Sequence, residues 1–174
     1  MIALSTLTDN ASVTIESLQK GGMEMTDYEY LLEEAADRNI KVREVPLIMY
    51  DGLTNGQVIC IRSTMQTQAQ KADVLAEEIA HTKLTVGNIL DQGETGNRKQ
   101  EYKARLKAYD KRIGLKGIVN AYRAGCKTLY EIAEYLHTEE LFLSEALNCY
   151  REIYGESVSM DGYCIHFEPK LSVN

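Results

Sequence analysis

The stretch from Ala72 to Ile79 most constrains what this chain can fold into. Ala72, Leu75, Ala76 and Ile79 recur at the spacing of one helical face, which predicts a helix over about Thr67–Leu84. An apolar stripe of that kind must be covered, so the helix needs a partner layer. The residues before it supply one. Ile40–Val45 begins with Ile40 and Val42 alternating with Lys41 and Arg43, the period of a half-buried strand, although Val45 breaks the register. Leu47–Tyr50 is short and apolar, and Gln57–Arg62 carries Val58 and Cys60 on one face and Ile59 and Ile61 on the other. Asp51-Gly52 and Asn55-Gly56 read as turns, so a small antiparallel sheet is expected from the second and third runs.

Other elements follow by the same rules. Thr26-Asp27-Tyr28-Glu29 has capping-box spacing and opens a helix whose face is Leu31, Leu32 and Ala35, with Asn39 as its stop. Residues 1–25 stand apart as an N-terminal arm or tail, with a short amphipathic helix possible from Asn10 to Gln19. Gly87, Asn88, Gly93 and Gly96 predict a loop over 85–97, and a basic helix follows over about Arg98–Ile113. After Gly114, short helices are expected near 116–124, 128–137 and 139–154. Strands near Ser157–Met160 and Tyr163–Phe167 flank Asp161-Gly162, a hairpin signal. The fold class is therefore α+β. The division is an arm over 1–25, a core over 26–113, and a helical extension with a C-terminal β-hairpin over 114–174.

With 174 residues and 44% apolar content, the chain can bury a sizeable core. Its formal net charge of -7 argues against general affinity for nucleic acid or an anionic membrane. No run approaches the roughly 18 apolar residues of a membrane span, and the start lacks the pattern of a signal peptide. Cys60, Cys126, Cys149 and Cys164 are widely spaced and form no C-x-x-C pair, so a cytoplasmic protein with reduced, mostly core thiols is expected.

The chemistry is concentrated on the constraining helix. Leu75-Ala76-Glu77-Glu78-Ile79-Ala80-His81 reads as an H-E-x-x-H zinc-protease motif with its first histidine replaced by glutamate. Residues four apart are neighbours on a helix, so Glu77 and His81 can converge on one ion. Carboxylate oxygen and imidazole nitrogen both bind zinc at about 2.0–2.2 Å. Glu78, offset by one residue, stands where a general base would take a proton from water and pass it to a leaving amine. A third ligand must come from elsewhere, and Glu101 on the basic helix is the candidate. Its other reading is an ion-pair partner of Lys103 or Arg105. The motif also has a plain reading, an acidic solvated helix face with a chance histidine.

From about Thr26 to Pro169 the chain resembles the ImmA/IrrE family of metallopeptidases, particularly versions carried by phages and integrated elements. The likeness rests on Gly56-Gln57-Val58-Ile59-Cys60-Ile61, on Val74–His81, and on Glu101-Tyr102-Lys103-Ala104-Arg105-Leu106-Lys107-Ala108, which is similar to the family's E-x-x-A-x-x-F-A pattern. The departures are Glu77 for the first His, Ala80 for the Gly before the second, Lys107 for the aromatic, and a missing L-L-M-P. The resemblance implies a minimal zincin-like core, a Zn2+ held by Glu77, His81 and Glu101, and Glu78 as catalytic base. The implied activity is hydrolysis, by metal-activated water, of a peptide bond in a transcriptional repressor of a phage or mobile element. Glu in place of His adds negative charge, which lowers the Lewis acidity of zinc. The alternative is a non-catalytic interaction protein, or pseudo-protease, that binds a repressor without cleaving it.

Further residues bear on the site. His137, His166 or one of the eleven tyrosines could stabilise an oxyanion, and Asp91 could support His81 from behind. His137 also suits a helix C-terminus as a cation, and His166 falls in a strand. The helices over 116–154 have a helix-turn-helix cadence. The last of them carries Glu139, Glu140 and Glu145 where a DNA reader brings Arg, Lys, Asn or Gln, so packing or protein contact is expected there, not direct nucleic-acid binding.

Overall fold

The computed structural model describes residues 25–84 and 94–174. The arm expected over 1–25 (all but its last residue), its helix Asn10–Gln19, and Asp91 lie outside the described residues. The chain is mixed α+β and divides into two compact units, the first ending at Glu101 and the second beginning at Tyr102. That division falls inside a helix, upstream of the Gly114 boundary read from the texture of the sequence.

The first unit begins with helix α1 (Asp27–Asp37). Thr26 caps it: its hydroxyl accepts from the Glu29 N–H while the Glu29 carboxylate takes the Thr26 N–H at 2.7 Å, satisfying two of the otherwise orphaned donors. Asn39 ends it at φ 58°, where the Ile40 N–H reaches back to the Ala35 carbonyl at 2.9 Å. Strands β1 (Lys41–Val45), β2 (Gly52–Thr54) and β3 (Val58–Arg62) form one sheet in the order β1-β3-β2.

This sheet differs from the expected antiparallel one. β2 and β3 are antiparallel, but β1 lies parallel to β3, with Val42 opposite Ile59, so the sheet is mixed. Pro46 explains part of this. It has no N–H to continue the ladder, and the Leu47 N–H turns back to the Val45 carbonyl at 2.7 Å around it. The run Leu47–Tyr50, read as a strand, is consequently a loop in which Ile48, Met49 and Tyr50 are exposed. Gly52, read as part of a turn, opens β2. The central β3 buries Ile59, Cys60 and Ile61 in succession, so both its faces are covered.

Helix α2 (Gln68–Leu84) covers the sheet on one side and packs against α1. The Thr67 hydroxyl accepts from the Gln70 N–H at 3.0 Å and starts it. Its stripe of Ala72, Leu75, Ala76 and Ile79 is buried with Leu31, Leu32 and Ala35 of α1 and with β3. A half-buried polar cluster ties α1 and α2 to β1. The Glu44 carboxylate of β1 accepts from the Tyr28 hydroxyl at 3.0 Å and from the Lys71 ammonium at 2.8 Å. Together these contacts fix the rotation of α2 about its own axis.

Helix α3 (Glu94–Arg112) starts within the stretch expected to be loop and runs through the division between the units. Gly96 is thus helical, not a breaker. The second unit continues with α4 (Gly114–Arg123), α5 (Leu129–Tyr135) and α6 (Glu140–Tyr154), then β4 (Ser157–Met160), β5 (Tyr163–His166) and β6 (Ser172–Val173) in an antiparallel sheet. The two-residue β6 is too short to carry a periodic signal. Its core joins Ile118, Val119, Leu143, Ala146, Tyr150 and Ile165, with the Tyr109 ring edge-on to Phe142 at 5.0 Å. Thr128 and Glu131 make a second capping box at the start of α5. No described helix is long and apolar enough to cross a membrane.

Candidate functional site

The burial of the α2 stripe decides where the motif side chains go. With Leu75, Ala76 and Ile79 turned into the core, Glu77, Glu78 and His81 fall at the margin between core and surface. Each is partly buried, which suits groups that must be held firmly and still reach solvent.

Glu101, twenty residues along from His81 in the chain, comes to the same place. Its Oε2 stands 3.5 Å from Nε2 of His81. That spacing is long for a charge-assisted hydrogen bond, which closes to about 2.7–2.9 Å. It falls within the range of an exposed ion pair, and it also matches two donors on one tetrahedral centre, since ligands at about 2.0–2.2 Å stand roughly 3.3–3.6 Å apart. The pair is open, with the imidazole side chain 30% and the carboxylate side chain 47% exposed.

Glu78 is a strongly perturbed acid. Burial raises its pKa to about 7, and the negative charges of Glu77 and Glu101 push in the same direction. A carboxyl near neutrality can both accept and release a proton at physiological pH. Glu78 also helps hold up the Cys60 thiol on β3, although burial is the larger cause there. Cys60 and Cys149 are buried, Cys126 and Cys164 are partly exposed, and all four are free thiols.

The structure therefore brings His81 and Glu101 together and sets Glu78 within electrostatic reach of Glu77 and Glu101. Among the described residues, no group of three or more His, Cys, Asp or Glu is placed to hold a metal ion. The donor chemistry of one imidazole and two carboxylates suits zinc, and Glu77 sits one helical turn from His81.

The remaining candidates lie elsewhere. His137 and His166 both belong to the second unit. His137 ends α5 at φ 50°, and its carbonyl accepts from the buried Arg112 guanidinium at 2.5 Å. His166 sits in β5 opposite Ser157 and Ser172. One residue was read from the sequence only as part of a turn. Gly52 lies against Glu78, and the available signal was a glycine at a strand position, which marks close approach by another group.

Comparison of the chain with protein-family models, curated proteins and solved structures finds no match in any of the three.

Proposed function

We propose that this protein is a zinc-dependent endopeptidase whose metal is held by Glu77, His81 and Glu101 and whose general base is Glu78. The observation that carries the reading is the 3.5 Å approach of His81 and Glu101 from two separate helices, on a face where Glu78 is held near neutrality. When bound, zinc would supply Lewis acidity for the attack of water on a peptide carbonyl. The chain's own contribution is proton transfer. The Glu78 carboxylate takes a proton from the attacking water and delivers it to the leaving amine. No covalent intermediate is needed. The finer fold reading, a zincin-like core followed by a helix-turn-helix-like extension, belongs to the same proposal. It is supported by the order of helix, sheet and motif helix in the first unit and by α4, α5 and α6 in the second. The substrate class is a transcriptional repressor of a phage or mobile element, taken from the sequence resemblance alone.

A second reading, a binder of such a repressor without catalysis, draws on the finding that no group of three or more His, Cys, Asp or Glu among the described residues is placed to hold a metal ion. Elemental analysis of the purified protein separates the two, followed by repressor incubation with wild type and Glu78→Gln. Stoichiometric zinc that is lost in Glu101→Ala, with cleavage abolished in Glu78→Gln, supports the enzyme. Protein that takes up no zinc, and captures repressor equally well with Gln at position 78, overturns it in favour of the binder.

A further inference from the structure

Gly52 is the described glycine whose missing side chain is most closely occupied. A Cβ built there would lie 2.5 Å from Oε1 of Glu78, 2.7 Å from its Cγ and 2.8 Å from Cγ1 of Val74. No side chain tolerates such contacts without moving. Conformation does not demand glycine at this position, because its φ lies outside the left-handed region. Gly56, Gly114, Gly125, Gly155 and Gly162 are the reverse case, with positive φ and open space where a Cβ would be. The reason for glycine at 52 is therefore room, and the group that uses the room is chiefly Glu78.

Gly52 opens the edge strand β2 and pairs with the buried Ile61 of β3, and the Arg62 N–H bonds the Asp51 carbonyl at 2.8 Å just beside it. These ladder contacts tie β2 to the sheet at this point. The carboxylate arm of Glu78 lies over bare backbone and is confined between the strand and its own helix.

We propose that Gly52 is a positioning residue for Glu78: the uncovered backbone of β2 forms the seat that fixes the carboxylate arm in place. The functional meaning of the seat rests on Glu78 being the general base, whereas the seat itself does not. Any side chain at 52 displaces the carboxylate, and displacement by about 1 Å can cost on the order of a hundredfold in turnover. Residue 52 thereby acts through Glu78 and touches no substrate.

The test is a coupling experiment on the metal-free full chain. Thermal midpoints are measured for wild type, Gly52→Ala, Glu78→Ala, Gly52→Ala/Glu78→Ala and Gly52→Ala/Val74→Ala. Gly52→Ala is expected to lower the midpoint by several degrees, and removal of the Glu78 arm to restore at least half of that loss. Rescue by Val74→Ala with none by Glu78→Ala would overturn the proposal. If Gly52→Ala does not fold, the wild-type protein still decides. A nuclear Overhauser contact between the Gly52 α-protons and the Glu78 γ-protons is expected, and its absence overturns the seat. A seat established in a protein that neither binds zinc nor cleaves would refute the peptidase reading alone.

Discussion

Glu78 illustrates how one residue can oppose the stability of the fold that holds it. Its ordinary carboxyl value of 4.5 is raised to about 7 by burial and by Glu77 and Glu101. Between these values the folded state keeps a proton that the unfolded state has lost. Stability therefore falls as pH rises from about 4.5 to about 7, and the loss is complete above that range. Its size is on the order of 3 kcal/mol. Glu78→Gln removes the titrating group. Urea unfolding of the metal-free proteins should show the variant gaining on wild type as pH is raised from 5 to 8. A constant difference across that range would mean that Glu78 is not held near neutrality. A similar tension is common where a site requires a group to be ready for chemistry and not merely comfortable.

Among the elements, α2 and the stretch after β1 make an instructive contrast. Both are apolar in sequence, yet Leu75 is 0% exposed and Ile48 is 92% exposed. The helix buries its stripe because α1 and β3 close on it. The loop stays out because Pro46 ends β1 and turns the chain before the apolar residues can pair. Leu75→Ala should cost about 2–5 kcal/mol, the range for emptying a filled core position. Ile48→Ser should change stability by no more than about 0.5 kcal/mol. Chemical denaturation of the two variants checks both. A large loss from Ile48→Ser would place that side chain in a packed layer and restore the strand.

For the molecule as a whole, the decisive question is whether metal binding and folding are coupled. An ion that binds only the folded chain stabilises it by mass action, by about 2.7 kcal/mol at a hundredfold excess over Kd. Added Zn2+ should thus raise the thermal midpoint of wild type by several degrees. His81→Ala and Glu101→Ala should abolish the rise, each leaving too few donors for a closed set. An equal rise in either variant would assign the zinc to some other group. The effect should reach residues far from the ligands within the first unit, because α1, β1 and α2 are tied through Tyr28, Glu44 and Lys71.

The sequence by itself determined whatever depends on neighbours in the chain. The capping box at Thr26, the stop at Asn39, the stripe of α2 and the Asp161-Gly162 hairpin all rest on local hydrogen bonding or local periodicity. Spacing also placed Glu77, Glu78 and His81 on one helix. Only the tertiary structure decided that β1 runs parallel to β3, since pairing direction depends on how a distant segment returns. It alone set Glu101 at 3.5 Å from His81 and laid Glu78 over Gly52. Distances of that kind are fixed by packing between separate elements, and no one-dimensional pattern encodes which bare stretch of backbone a side chain will come to rest against.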